Sequence, residues 1–325
     1  MNTEKEYDVV ALGELLIDFT NNGISSQGNT IMEVNPGGAP CNVLSMLNKL
    51  DRRTAFIGKV GDDMFGHMLA DTVKEQGIDI SGISFDTTVN TTLAFVHTKS
   101  NGDRSFSFYR NLGADMMLRV ADVDTDIVKN TKIFHCGTLS MTDKEVRDAT
   151  KYAVDTAVGA GALISFDPNY RPLLWDDPNQ AKEAMWYGIG VCDILKISDD
   201  EIEFLTGKSD IDEGIAVIRK KSSARLICAT MGANGSIAYY GDIRVSVPAF
   251  VAGKVIETTG AGDTFMGCLL DGVLDKGLNN LSSDVLTQIL RFANEAASIV
   301  TTRRGALKVM PTRVEVENVI IREKI

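Results

Sequence analysis

The chain has 325 residues, 44% of them hydrophobic and 24% charged, the balance of a soluble globular protein with one large core, or one large domain and a small one. A net charge of −11 argues against nucleic acid or anionic membrane as a general partner, so any phosphate site must be built locally. Three histidines speak against a zinc site, and five cysteines without a CxxC pair read as buried free thiols of a reducing cytoplasm.

The first seven residues are polar and charged, unlike a signal peptide, and no apolar run approaches a membrane span. Residues 8–13 form a short apolar run and predict a buried strand. Glu14 and Asp18 follow it. Residues 20–30 are polar and glycine-containing, a loop or hairpin. Asn35-Pro36-Gly37-Gly38-Ala39-Pro40 is turn chemistry. A helix starts near Pro40, which suits a first helical turn. Asn42 lies in that turn, and Val43, Met46, Leu47 and Leu50 give the helix its apolar face. Residues 54–58 predict a strand and 65–75 a helix. Residues 91–97 and 105–109 alternate, joined by Ser100-Asn101-Gly102-Asp103, a hairpin signal. Arg110 ends the second run.

From residue 130, short buried strands at 132–136, 163–167, 194–197 and 226–229 alternate with helical stretches near 143–159, 179–188 and 200–221. That pattern predicts a parallel sheet covered on both faces, with ligands outside the carboxyl ends of its strands. Polar turns follow there: Asp167-Pro168-Asn169-Tyr170-Arg171, Ser198-Asp199-Asp200-Glu201 and Thr230-Met231-Gly232. Residues 236–240 and 243–247 read as a hairpin around Gly241-Asp242. Helices are expected after Gly262, over 286–300 and over 311–322.

The chemistry concentrates in Glu257-Thr258-Thr259-Gly260-Ala261-Gly262-Asp263. Gly260 and Gly262 allow a tight turn. The spacing of Phe265, Met266, Leu269, Leu270, Val273 and Leu274 places them at a helix N-terminus, where unpaired N–H groups and the dipole attract anions. Asp263 sits in the same turn. An aspartate there can simply complement the dipole. It would repel a resting phosphate, but beside a phosphoryl group under attack by a hydroxyl it would accept that hydroxyl's proton. The dinucleotide fingerprint does not fit, because the third glycine, Gly267, is out of step. Gly207-Lys208-Ser209 matches the tail of a P-loop, but position 202 is isoleucine where its first glycine belongs.

This stretch resembles the second signature of the PfkB, or ribokinase, family of carbohydrate kinases, D-T-T-G-A-G-D, with Glu257 in place of the first Asp. Gly37-Gly38-Ala39-Pro40-Cys41-Asn42 is similar to the first signature, G-G-x-x-x-N. The run at 167–175 resembles the D-x-N-x-R-x-x-L-W of bacterial fructokinases and 2-keto-3-deoxygluconate kinases. Glu201 matches the N-x-x-E segment, where Ser198 replaces the Asn. Thr230-Met231-Gly232-Ala233-Asn234-Gly235 resembles T-x-G-x-x-G, and Arg303-Arg304-Gly305-Ala306 resembles a terminal R-x-G-A turn. The motifs stand in family order over nearly the whole chain.

The resemblance implies a ribokinase-like three-layer α/β/α sandwich with a mainly parallel central sheet. One kinase domain would span residues 1–325, with a small β lid from about 14–36 and 90–112. The implied activity is ATP-dependent phosphorylation of a primary hydroxyl of a small sugar. Asp263 would be the base, and Gly260, Ala261 and Gly262 the anion hole. Asp18, Gly37, Gly38, Asn42, Tyr109, Arg110, Asn169 and Arg171 would hold the sugar. Thr230, Gly232, Gly235 and Asn294 would border the nucleotide. Glu201 would orient Mg²⁺ through water, and Glu257, Thr259, Val300 and Gly305 would shape a monovalent-cation site for K⁺. The 167–175 run and Ser198-Asp199 put fructose first as acceptor. 2-Keto-3-deoxygluconate is the alternative; its carboxylate would want a cation such as Arg110 or Arg171. A non-catalytic sugar sensor is the reading from another class. A dinucleotide-dependent dehydrogenase fails on spacing. The partner is a small sugar, with no nucleic acid or membrane, and lids of relatives often make homodimers.

Overall fold

The computed structural model describes residues 5–98, 104–250 and 252–322. The chain opens with β1 (Tyr7–Leu12), a hairpin of β2 (Leu16–Ile24) and β3 (Thr30–Gly37), and helix α1 (Ala39–Lys49). Next come β4 (Thr54–Gly61), α2 (Met64–Glu75), β5 (Asp79–Asp86), β6 (Leu93–Thr98) and β7 (Arg104–Tyr109). Short α3 (Thr125–Lys129) leads into an alternating series: β8 (Thr131–Gly137), α4 (Lys144–Gly159), β9 (Leu163–Asp167), α5 (Pro178–Val191) and β10 (Ile194–Ser198). It continues through α6 (Asp199–Thr206), α7 (Ile211–Arg219) and β11 (Leu226–Thr230). Then follow β12 (Ser236–Tyr240), β13 (Ile243–Val247), α8 (Ala261–Lys276), α9 (Ser283–Thr301) and α10 (Arg313–Arg322).

The main sheet runs β13-β12-β11-β10-β9-β8-β1-β4-β5. It is parallel from β11 to β5, and β12 and β13 add an antiparallel edge. Its central strands are buried on both faces, which is why their sequences read as continuous apolar runs. Ile133, Ile194 and Leu226 pack on one face with Met46 of α1, Leu269 of α8 and Leu290 of α9. Phe134, Phe166 and Leu195 pack on the other with Val154 of α4 and Met185 of α5. The expected α/β/α layering is therefore present, with a four-stranded second sheet ordered β3-β2-β6-β7. Phe19 of β2 stacks on Phe95 of β6 at 4.9 Å and meets Phe65 of α2 edge-on at 5.7 Å, fastening this lid to the body.

Three details depart from the sequence reading. Asn35-Pro36-Gly37 lies inside β3, with Ile17 opposite Pro36; β3 is an outer strand, where a missing N–H costs little. The turn itself falls on Gly38, at φ 135. Strand β5 was not anticipated, because it is only half buried and Gly82 interrupts its pattern. The helix expected over 200–221 is two helices: Gly207 ends α6 in a left-handed conformation at φ 71, and Asp210 caps α7 by accepting from Glu213 N at 2.9 Å. The turn expected at residues 100–103 lies outside the described residues. The five cysteines are buried free thiols, and no described helix is long and apolar enough to cross a membrane.

Candidate active site

Helices α1 and α8 both begin above the carboxyl ends of the central strands. Gly260 caps α8 at φ 80, and a Cβ there would sit 2.6 Å from the Cβ of Ala306. Only glycine fits that turn. A Cβ built on Gly262 would lie 3.0 Å from Lys196 Nζ, so an ammonium rests directly against the N-terminal turn of the helix. Dipole and lysine together make an electropositive seat.

Asp263 is set into this seat at 8% exposure. Its Oδ2 accepts from Asn42 Nδ2 at 2.8 Å, so one hydrogen bond ties α8 to α1 across 221 residues of sequence. Burial raises the Asp263 carboxyl to about 6. Asn42, Lys196 and Arg171 oppose that rise, while Asp167 adds to it. A carboxylate poised there can take a proton near neutral pH.

A polar row crosses the ends of β8, β9 and β10. His135 Nδ1 lies 2.9 Å from Ser165 Oγ. Burial and the nearby Lys196 lower its imidazole to about 3, so the ring is neutral. Lys196 Nζ binds Asp167 at 3.0 and 3.2 Å. Burial works against the ammonium, but Asp167, Glu201 and Asp263 hold its pKa above the ordinary value. Lys196 escaped the sequence reading, which took 194–197 as an apolar run. The available signal was a charged residue inside a strand otherwise buried on both faces.

On the sugar side, Asp18 Oδ2 packs against Gly37, where a Cβ would lie 2.4 Å away. Burial, then the charge of Glu257, raises its carboxyl to about 7 against the pull of Arg171. Gly38 has no room for a side chain either: a Cβ would meet the Glu14 carbonyl oxygen at 2.4 Å. Glu14 itself is buried and accepts from Ala39 N at 2.8 Å. Burial brings its carboxyl to about 7. Asn169 holds a left-handed backbone at φ 46 and donates its N–H to Asp167 Oδ1 at 3.2 Å; such strain in a non-glycine residue gathers at functional sites. A hole of about 10 Å³, the size of one water, is lined by Glu14, His135, Thr138, Asp167, Asn169 and Asp263. Arg171 is exposed, and its Nη1 donates to the Tyr170 carbonyl at 3.2 Å.

Tyr109 and Arg110 part company. Tyr109 is 68% exposed, edge-on to Phe95 at 5.1 Å. Arg110 turns inward, and its guanidinium is taken up by Asp115, Thr142 and the Leu139 carbonyl.

A second cleft, of about 290 Å³, runs from Thr230, Gly232 and Gly235 past Phe250 and Ala297 to Gly262. It therefore opens on the start of α8. Asn294 lines it but is engaged: its Oδ1 accepts from Ser236 Oγ at 3.0 Å, and its Nδ2 donates to the carbonyls of Val247 and Pro248 at 3.1 and 3.3 Å. Those bonds tie α9 to the β12–β13 hairpin. Glu201 accepts from Tyr170 N at 2.7 Å and Ser198 N at 2.8 Å, while Ser198 Oγ accepts from Glu201 N at 3.3 Å. This capping box occupies one acceptor position on each oxygen and leaves others for a metal-bound water. Glu257 accepts from Thr259 Oγ1 at 2.7 Å and Gly305 N at 3.1 Å. Val300 lies buried in α9 one residue before Thr301, whose carbonyl accepts from Glu257 N at 3.1 Å. Glu257, Thr259 and Gly305 of the four residues read as a cation site are thus bonded together, with Val300 in the last turn of α9 beside them.

A family model described as "pfkB family carbohydrate kinase" matches residues 7–313. The chain belongs to the PfkB family of carbohydrate kinases. It is 41% identical over 309 residues to "Probable fructokinase-2" of Arabidopsis thaliana, covering 94% of each chain. It superposes on a Xylella fastidiosa fructokinase with bound ATP at TM-score 0.89 and 30% identity, covering 98% of this chain and 100% of that one. A Vibrio cholerae fructokinase double mutant, in a form bound to fructose, ADP and potassium ion, matches at TM-score 0.86 and 27% identity, covering 98% and 99%. The two signatures of the family are, in this structure, the two helix N-termini that the Asn42–Asp263 bond joins.

A buried carboxyl held at about 6 has a linkage consequence. Well below pH 3.8 the group is protonated in both the folded and unfolded chain. As pH rises through 6 the folded protein must ionise a buried group that the unfolded chain ionises freely, so stability is lost, by roughly 3 kcal/mol. Asp263→Asn removes that loss. The variant should melt above wild type at pH 8, with the gap closing as pH falls to 4. Melting curves at both pH values check this; a gap that does not shrink with falling pH would show that Asp263 is not the group responsible.

Proposed function

We propose that this kinase transfers the γ-phosphoryl group of ATP to the primary hydroxyl of fructose. The observation that carries the reading is Asp263, a near-neutral buried carboxyl at an anion-binding helix N-terminus, standing between the 290 Å³ cleft and the polar hole. The sequence likeness to fructokinases favours fructose as the acceptor. A sugar sensor has no use for such a base.

In this mechanism the sugar lies beneath the lid, with hydroxyls on Asp18, Asn42 and Asn169 and its backbone neighbours at Gly37 and Gly38. Tyr109 and Arg171 border it. Asp263 accepts the proton of the attacking hydroxyl. The N–H groups of Gly260, Ala261 and Gly262 meet the charge that develops on the transferred group, and Lys196 lies close enough to share it. Thr230, Gly232 and Gly235 form the nucleotide wall, with Asn294 holding that wall in shape. Glu201 would hold Mg²⁺ through water, and the ion would neutralise phosphate charge there. Lid closure over the site excludes water and limits idle ATP hydrolysis.

The acceptor is tested by turnover on fructose, 2-keto-3-deoxygluconate, ribose and adenosine. Fructose should lead. A kcat/KM for the keto-acid tenfold above fructose, about 1.4 kcal/mol of transition-state binding, overturns the choice.

Asp263→Asn keeps the size and a hydrogen-bonding group but loses basicity. Its kcat should fall roughly 10²–10⁴-fold while ATP and sugar binding persist. Retention of more than about a tenth of wild-type kcat, outside that range, makes Asp263 a helix-cap residue.

Glu257 is one methylene longer than the family's aspartate yet reaches both Thr259 and Gly305. K⁺ should therefore activate, less strongly than in relatives with Asp. Equal rates in K⁺ and in a large organic cation at fixed ionic strength would remove the site from the mechanism.

A further inference from the structure

The buried charges behind the sugar pocket do not balance in favour of an anionic substrate. Arg110 is the one inward-facing cation of the lid side that the sequence offered for a substrate carboxylate. Its Nε and Nη2 both donate to Asp115 Oδ2, at 2.8 and 2.6 Å, and the two side chains are 5% and 1% exposed. Nη2 also donates to the Leu139 carbonyl and Nη1 to Thr142 Oγ1, each at 3.0 Å. Four donations account for all but one of the five guanidinium hydrogens. The other oxygen of Asp115, Oδ1, accepts from Thr92 Oγ1, so the aspartate is held from β6's approach as well. Gly113 keeps this knot tight: a Cβ there would lie 1.9 Å from Thr92 Oγ1 and 2.8 Å from Asp115 Oδ1.

The knot is one residue behind the pocket wall. Leu139, whose carbonyl takes Arg110, lines the polar hole together with Glu14 and Asp263. Glu14 feels both members of the pair, Arg110 attracting and Asp115 repelling. Around one guanidinium there are therefore two buried carboxyls, and the hole adds Asp263. An acceptor bearing a carboxylate would find Arg110 already neutralised by Asp115, with Arg171 left as an exposed cation at the rim. At short range and low dielectric that arrangement repels it, while a neutral sugar loses nothing.

We propose that Asp115 is a specificity-determining residue: by occupying Arg110 it makes this pocket select neutral sugars over sugar acids. The inference rests on the reading of this pocket as the acceptor site. It does not place Asp115 in contact with substrate; the residue acts through Arg110.

The test compares kcat/KM for 2-keto-3-deoxygluconate and for fructose in wild type, Asp115→Ala and Asp115→Asn. Freeing Arg110 should raise the acid-to-fructose ratio about tenfold or more, the scale of one charge-assisted hydrogen bond. The double variant Arg110→Met with Asp115→Leu, which removes both charges, should return the ratio to the wild-type value. A merely structural role would lower both substrates together and leave the ratio still. Ratios within threefold of wild type in the folded single variants overturn the proposal. Should neither single variant fold, Glu14→Gln assayed at pH 8, where that carboxyl is ionised, removes the second negative charge beside Arg110 and can still accept from Ala39 N; the ratio should rise there too, and an unchanged ratio overturns the proposal. Wild type preferring the keto-acid tenfold would instead sink the fructose reading. Wild type preferring fructose with an unmoved ratio sinks this inference alone.

Discussion

The hydrogen bond from Asn42 to Asp263 is the contact on which the site depends. It spans the two helices whose N-termini define the pocket and fixes the one carboxyl placed in an electropositive seat. Burial makes that carboxyl a weaker acid. Asn42, Lys196 and Arg171 pull it back to about 6. The protein thus holds a base just below neutrality by opposing a large desolvation with several smaller attractions. The cost is stability, since the chain would be more stable with an uncharged residue there.

The same economy governs the surrounding strands. His135, Ser165, Asp167 and Lys196 interrupt a sheet face that is otherwise apolar. Each is satisfied by a neighbour in the row, His135 by Ser165 and Lys196 by Asp167. A buried ion pair is weak evidence of added stability, because desolvation offsets most of its attraction. Its position argues for another purpose: it carries a fixed positive charge to Gly262, where a phosphate would sit, and the carboxylate partner keeps that charge from being lost to burial.

The sequence made the sheet and the helix starts legible because both depend on local rules. Apolar runs bounded by turns marked β1, β8, β9, β10 and β11, and glycine pairs marked the beginnings of α1 and α8. Strand β5 was not legible, since a half-buried edge strand with a central glycine shows neither full burial nor clean alternation. Nor was the split between α6 and α7, where one left-handed glycine outweighs a continuous helical composition. For side chains the limit is of another kind. Sequence offers Arg110, Asn294 and Lys196 as residue types, but what each can do is set by partners that arrive from elsewhere in the fold.

Those three residues show how partners decide. Arg110 stands in a segment expected to meet the sugar, yet Asp115, five residues on, closes its guanidinium. Asn294 stands at the 290 Å³ cleft, yet Ser236 and the carbonyls of Val247 and Pro248 employ both ends of its amide. Lys196 stands in a strand that reads as core, yet Asp167 keeps it charged at the mouth of α8. A polar group buried without a partner is costly, so the fold assigns one wherever it can. What remains uncommitted is then informative. At the start of α8 Ala261 N bonds the Thr258 carbonyl at 3.3 Å, but the helix itself supplies no acceptor to the N–H groups beside it, and a nearly neutral carboxyl lies among them. That pairing of unspent donors with a poised acceptor is what a transferring phosphoryl group and its attacking hydroxyl require.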